Sequence, residues 1–206
     1  MKNARTPLVA VSLLAAAALA ASVAAAPPGA PDPNTVVVRS AGGSKTITVV
    51  EKGNTIEITL PNGEKLAGEP SGEKRKYRPA AGGPQRFEVK PGENGFKLRT
   101  SDGKLLWKVK IDDDKIKVSD NEENANPYAL KTKYDDKVKV VDASEKELAE
   151  VRFAPDKTKV KGADGAELWE TSSPRRRSAA FGVLALEKVP EEHRAILMAE
   201  ILARRR

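Results

Sequence analysis

The side chains best suited to chemistry in this sequence are basic, and they lie in two dense runs. The first run holds Lys74, Arg75, Lys76 and Arg78, and the second holds Arg175, Arg176 and Arg177. Arginine grips a phosphate or a carboxylate through two parallel hydrogen bonds, and lysine adds a point charge. Both runs lie near proline and glycine residues, which predicts loops. We therefore interpret these seven residues as anion-binding candidates, with ordinary loop polarity as the alternative.

The sequence offers little to other kinds of site. It has no cysteine, which excludes disulfides, zinc–thiolate sites and thiol nucleophiles. The one histidine, His193, sits beside Glu192 and Arg194, and we expect it on the surface without a catalytic role. The acidic runs at residues 112–114 and 135–136 lack the spacing and turn glycine of a calcium loop, so we interpret them as turns. We predict no enzyme, no metal and no cofactor.

Composition limits the kind of fold. The chain has 206 residues, 36 Lys and Arg against 29 Asp and Glu, and a formal charge of +7. Hydrophobic residues make up 39% and aromatic residues 4%, so a core must be built from Val, Ile, Leu and Ala. This length suits one domain or two small ones.

The N-terminal residues have the pattern of a secretory signal peptide. Lys2 and Arg5 precede an uncharged stretch at residues 8–26 that ends in small side chains. We predict cleavage after Ala25, with an uncleaved anchor as the alternative, and a proline-rich tether at residues 26–34. The chain would then be exported, either periplasmic or secreted, with no transmembrane span after cleavage. An exported protein rarely meets nucleic acid, so we expect no such partner.

The middle of the chain alternates apolar and polar residues, which is typical of half-buried strands. Pro61, Asn62 and Gly63 predict a hairpin turn, because Asn-Gly tolerates positive φ. The segment from Asp102 to Trp107 recurs from Asp164 to Trp169, 62 residues further on, so the two tryptophans are expected to be equivalent packing residues. The fold class predicted is mainly β: repeated antiparallel hairpins that close into a barrel-like sheet.

Two segments depart from this alternation. Residues 64–84 are rich in Gly and Pro, which predicts a long loop that joins two β sections and carries the first basic run, with a boundary between two small domains as the alternative. After Pro174 the pattern becomes helical: residues 179–186 are apolar on every side, which places them in an interior, and Ser178 is a suitable cap. Pro190 begins a second helix. We therefore predict one β-rich domain at residues 35–206, with C-terminal helices at 178–188 and 190–206.

Repeated strand–turn units such as residues 96–110, followed by a hydrophobic C-terminal helix, resemble the tubby-like superfamily, and within it the LURP-one-related branch. The resemblance covers about residues 87–188. It implies a barrel of about twelve antiparallel strands around one buried C-terminal helix. Two features depart from the family pattern: the second helix from Pro190, and a signal peptide that would carry the chain away from cytoplasmic phosphoinositides.

Function is predicted from the lysines that alternate with branched apolar residues. These are Lys108, Lys110, Lys115, Lys117, Lys131, Lys133, Lys137, Lys139, Lys157, Lys159 and Lys161. They predict either a cationic docking surface or a solvated outer barrel face. Our hypothesis is an exported, monomeric, non-catalytic protein that binds an anionic lipid or envelope polymer. The alternative is a structural or chaperone-like carrier of lipid or lipopolysaccharide in an apolar groove. Neither a Gly-x-Ser-x-Gly motif nor a carboxylate pair supports a hydrolase.

Overall fold

A computed structural model of the chain describes residues 32–175 and 177–204. The predicted signal peptide, residues 26–31 of the predicted tether, Arg176 and the last two residues lie outside the described residues.

The described part of the chain contains fourteen strands, a 3₁₀ helix and one α-helix. The strands are β1 (Thr35–Ser40), β2 (Thr46–Lys52), β3 (Thr55–Thr59), β4 (Lys65–Ser71), β5 (Lys74–Pro79), β6 (Phe87–Gly92), β7 (Gly95–Thr100), β8 (Leu105–Ile111), β9 (Lys115–Ser119), β10 (Tyr128–Tyr134), β11 (Lys137–Val141), β12 (Glu147–Phe153), β13 (Thr158–Gly162) and β14 (Glu167–Thr171). The 3₁₀ helix is Ala179–Ala185, and helix α1 is Glu191–Arg204.

The strands form one closed antiparallel barrel in which each strand pairs with its neighbours in sequence. Pairing between β1 and β14 closes the barrel, with Arg39 opposite Glu170 and Ser40 opposite Trp169. The predicted fold class is confirmed. Because the strands run alternately up and down, the turns after β1, β3, β5, β7, β9, β11 and β13 share one end, which we call the mouth.

The period-two pattern correctly identifies the inward faces. Ile47 and Val49 on β2 are buried, as are Ile56 and Ile58 on β3. The turn between β3 and β4 also forms as predicted, with Gly63 at a φ of 85°. Trp169 is buried and Trp107 is partly buried against the core, so both tryptophans are packing residues.

The loop predicted at residues 64–84 is wrong, because β4 and β5 occupy most of it. Gly68 lies opposite Tyr77 across this strand pair. A Cβ atom on Gly68 would lie 2.5 Å from the Tyr77 ring, so the glycine makes room for a buried aromatic side chain. Pro70 lies near the end of β4. The sequence pattern predicts that Gly and Pro interrupt a strand, but Gly68 instead allows close packing within this strand pair.

The interior of the barrel is filled by the two C-terminal helices. All seven residues of the 3₁₀ helix are buried, and the helix contacts β10, β11, β12 and β13. Helix α1 packs against the 3₁₀ helix and against β2 and β3. The Ser178 side chain accepts a hydrogen bond from the Ala180 amide at 3.2 Å, which confirms the predicted cap. Neither described helix combines the length and apolar character needed to cross a membrane.

Candidate functional site

The first basic run lies on β5, where alternation sends its side chains to opposite faces of the barrel. On the outside, Lys74 pairs with Glu88 at 2.8 Å, and Arg78 pairs with Glu69 at 3.6 Å. Lys76 is the third outward residue of this run. Carboxylates on neighbouring strands therefore already compensate two of the predicted anion-binding residues.

Arg75 points inward and takes part in a buried ionic cluster on α1. Its guanidinium lies 2.8 Å from the carboxylate of Glu200, a residue with no exposed surface. The hydroxyl of Tyr77 donates to the same carboxylate oxygen at 2.7 Å, and Arg204 pairs with the other oxygen. Burial first, and the Glu200 carboxylate second, raise the pKa of Tyr77 well above its usual value. Arg75 therefore anchors the helix instead of standing in a loop.

The second basic run also makes internal contacts. Arg175 forms an ion pair with Glu51 and donates to the backbone carbonyl of Leu202 near the end of α1. Arg177 donates to the carbonyl of Asp135 at 2.7 Å. These two arginines fasten the segment between β14 and the 3₁₀ helix to the barrel wall. Both runs thus use arginines for internal contacts, and Arg75 and Arg175 both contact helix α1, at Glu200 and Leu202.

A different group of basic residues lies together on the outer wall, on strands β7 to β10. Strands β7, β8, β9 and β10 each carry two basic residues and contain no Asp or Glu. We call these eight residues the basic face: Lys97, Arg99, Lys108, Lys110, Lys115, Lys117, Lys131 and Lys133. Three like-charge pairs lie directly across strands, namely Lys97 and Lys108, Lys110 and Lys117, and Lys115 and Lys131. Such pairs destabilise a sheet unless another group compensates them.

Acidic residues neutralise only some of the positive charges on the basic face. Glu122, from the loop after β9, pairs with Lys97 at 2.6 Å and with Arg99 at 2.5 Å. Glu145 pairs with Lys131. Within the part of the chain that the structure describes, the remaining lysines with no ion pair are Lys110, Lys115, Lys117 and Lys133, and Lys108 donates only to a backbone carbonyl.

The two lysines on β11, and Lys159 on β13, lie beside glutamates of neighbouring strands. Lys137 pairs with Glu150 at 2.6 Å, and Lys139 pairs with Glu147 at 2.7 Å. Hydrogen bonds from Arg152 and Lys137 lower the pKa of Glu150 to about 2. The continuous cationic surface expected from the lysine pattern therefore divides in two. One part is the basic face, and the other is a wall of mixed charge on β11 to β14, which we call the mixed wall.

The mouth of the barrel holds a pocket of about 910 Å³. Its apolar lining includes Trp107, Tyr128, Leu148 and Leu168. The two leucines are the extra residues of β-bulges, where the register shifts between β11 and β12 and between β13 and β14. A bulge redirects a side chain that regular alternation would place elsewhere. Simple period-two reasoning therefore missed this pocket.

His193 is not the surface residue that the sequence predicts. It is partly buried, and its Nδ1 accepts a hydrogen bond from the indole nitrogen of Trp107 at 3.1 Å. The Phe87 ring meets its imidazole edge-on at a centroid distance of 5.2 Å. Burial lowers the pKa of His193. These contacts give the histidine a packing role near the mouth.

The acidic runs at residues 112–114 and 135–136 lie in turns between strands, as the sequence indicates. Among the described residues, no group of three or more His, Asp and Glu side chains is placed to hold a metal ion. Comparison of the chain with models of known families, with curated proteins and with solved structures found no match. The resemblance to the tubby-like superfamily therefore stays an expectation from the sequence.

Proposed function

We propose that this chain is an exported, non-catalytic binding protein that docks on an anionic lipid surface or envelope polymer through its basic face. The observation that carries the proposal is the composition of β7, β8, β9 and β10, which hold eight basic residues and no acidic one. The partner is defined by its phosphate or carboxylate groups. We expect the chain to act as a monomer.

Electrostatic attraction of this kind must be local and multivalent. Exposed charges more than about 8 Å apart are largely screened at physiological ionic strength. Each lysine close to an anionic bilayer contributes about 1 kcal/mol. Like charges that face each other across strands also repel, and an anionic partner would relieve that repulsion. The basic face therefore favours a densely charged surface over an isolated anion.

The alternative function, a carrier with an apolar groove, has less support. A carrier needs branched apolar side chains that are free to meet lipid. Here the inward residues Val138 and Val140 of β11 are buried in the same core as Phe181 and Leu184 of the 3₁₀ helix. The helices thus occupy the barrel interior beside these strands, and the carboxylates that line the pocket at the mouth would repel the phosphate groups of a lipid or lipopolysaccharide.

Export remains part of the proposal on the strength of the sequence. The basic residues Lys2 and Arg5, the uncharged stretch and the small residues before Ala26 support cleavage after Ala25. N-terminal sequencing of the exported form tests this step, and a chain that retains Met1 would contradict it.

The docking surface is tested by replacing Lys110, Lys115 and Lys117 with glutamine. We expect affinity for vesicles rich in phosphatidylglycerol, or for lipopolysaccharide, to fall by about 100-fold at low salt, since three lysines contribute about 3 kcal/mol together. Vesicle co-sedimentation and titration with an anionic polysaccharide distinguish a lipid partner from a polymer.

A matched control carries the same loss of charge on the mixed wall, with Lys139, Lys157 and Lys159 replaced by glutamine. Each of these lysines pairs with a glutamate, namely Glu147, Glu170 and Glu167. We expect the control to bind anionic vesicles nearly as well as the original chain. If both triple variants lost the same affinity for anionic vesicles, net charge alone would explain the binding, and the basic face would not be a specific site.

A further inference from the structure

The pocket at the mouth combines apolar walls with a rim of carboxylates. The rim includes Asp120, Asp142, Asp164 and Glu187, and Lys188 is the one basic residue in the lining of this pocket among the described residues. The rim is thus acidic, although the chain as a whole carries a charge of +7. The volume of about 910 Å³ is within the range of small-molecule sites.

The three rim aspartates are held in place by their own turns. One oxygen of Asp142 accepts from the amides of Ser144 and Lys146, at 2.9 and 3.0 Å. One oxygen of Asp164 accepts from the amide of Ala166 at 3.0 Å, and one oxygen of Asp120 accepts from the side chain of Asn121. The second oxygen of each carboxylate makes no hydrogen bond within the described residues. Each aspartate therefore keeps one carboxylate oxygen that can accept from another group.

The walls between these carboxylates are aromatic and aliphatic. The hydrogen bond to His193 holds the indole of Trp107 in position. Asp120 and Asp142 lie near enough to Tyr128 to help burial raise the pKa of its hydroxyl. Aromatic faces attract cations, and the two bulge leucines, Leu148 and Leu168, add apolar contact area.

We propose that the mouth pocket binds a small organic cation, an ammonium group carried on an apolar body. Charge complementarity with the carboxylates selects the sign of the ligand. The apolar walls select an organic body, and a bare metal ion does not fit because no three acidic side chains converge in the described part of the chain. This inference is independent of the basic face, which lies on the outer wall and attracts the opposite charge.

The probes for the test are 2-phenylethylamine, 2-phenylethanol and phenylacetate, which share a ring and differ in charge. We expect the amine to bind the full chain saturably and at least about tenfold more tightly than the alcohol, with phenylacetate weaker still. Isothermal titration gives the affinities. Amine binding should also change the tryptophan fluorescence. If this change disappears in Trp107→Phe, the ligand lies beside Trp107.

A double variant, Asp142→Asn with Asp164→Asn, tests the rim. Asparagine keeps the oxygen that accepts from the turn amides, so the turns should survive while two charges are lost. We expect about a tenfold or greater loss of affinity for 2-phenylethylamine and unchanged binding to anionic vesicles.

The control is Asp102→Asn, at the repeat-equivalent of Asp164 but outside the pocket lining. We expect it to bind the amine as the original chain does. Equal affinity for amine and alcohol would overturn the proposal, as would absence of saturable amine binding up to about 10 mM. The proposal would also be overturned if Asp102→Asn lost as much affinity for 2-phenylethylamine as the double variant.

Discussion

At the scale of single residues, the most consequential group is the carboxylate of Glu200. It is fully buried, and it is compensated by Arg75, Tyr77 and Arg204. A buried charge that loses a partner is costly, because the protein interior replaces the missing hydration poorly. The first basic run therefore contains a residue whose loss should affect folding, contrary to the expectation for a loop.

Arg75→Gln is expected to lower the free energy of unfolding by about 3 kcal/mol, because Glu200 keeps Tyr77 and Arg204 but loses one of its two cations. The matched control is Lys76→Gln, the next residue of β5, which points outward and should change stability by less than about 0.5 kcal/mol. Urea unfolding followed by circular dichroism measures both. Similar midpoints for the two variants would show that the Arg75–Glu200 pair contributes nothing.

His193 makes stability depend on pH. Burial lowers its pKa in the folded chain below the value of about 6.5 found in unfolded chains. Between those two values the unfolded chain binds more protons, so stability is full above about pH 6.5 and is lost as the pH falls. Protonation of Nδ1 would also remove the acceptor that Trp107 uses.

His193→Gln keeps an acceptor for Trp107 but cannot titrate. We expect the free energy of unfolding of the original chain to fall relative to this variant as the pH is lowered from about 7 to about 5. Burial raises the pKa of the neighbouring Glu192, which acts with the opposite sign. That contribution is shared by both proteins and cancels in the difference. Parallel pH profiles would contradict the assignment to His193.

At the scale of elements, the 3₁₀ helix packs closely against the barrel wall at Gly182. A Cβ atom added at Gly182 would lie 2.9 Å from a methyl of Val140 and 3.0 Å from a methyl of Leu130. The helix therefore approaches β10 and β11 so closely that a Cβ atom at Gly182 would require a neighbouring side chain to move. Protein interiors are close-packed, so extra volume here must displace neighbours.

Gly182→Ala should consequently destabilise the barrel by about 1–3 kcal/mol through overpacking. Gly92→Ala is the control, because its added Cβ would meet no atom within 4 Å. We expect that control to stay within about 0.5 kcal/mol of the original chain. Thermal or urea unfolding distinguishes the two, and a neutral Gly182→Ala would mean that the helix can shift away from the wall.

At the scale of the whole molecule, the barrel separates opposite charges. Strands β7 to β10 present the basic face on the outer wall, whereas carboxylates surround the pocket at the mouth. A closed sheet allows this separation of charge. The outward side chains of its strands form the wall, whereas the side chains of its turns form the two ends of the barrel. The two proposed sites thus take ligands of opposite sign without competing.

Most of the architecture follows from local patterns in the sequence. Alternation of Val and Ile with polar residues determines which side of each strand is buried, because side chains alternate between the two faces. Likewise, residues 179–186 are apolar on all sides, and the structure buries the 3₁₀ helix that they form. Such properties depend on neighbours in the chain, and a single sequence is enough to read them.

The sites depend on strand register and on packing, which the local sequence pattern does not specify. Arg75 and Glu200 are 125 positions apart, and their pairing depends on how α1 enters the closed barrel. The basic face differs from the mixed wall in strand composition, and the strand register then places Glu150 and Glu147 beside Lys137 and Lys139 of the mixed wall. The mouth pocket depends on β-bulges that break alternation at Leu148 and Leu168. Periodicity identifies a buried face, but register, closure and helix insertion are set by long-range packing, and these determine which charges remain unpaired.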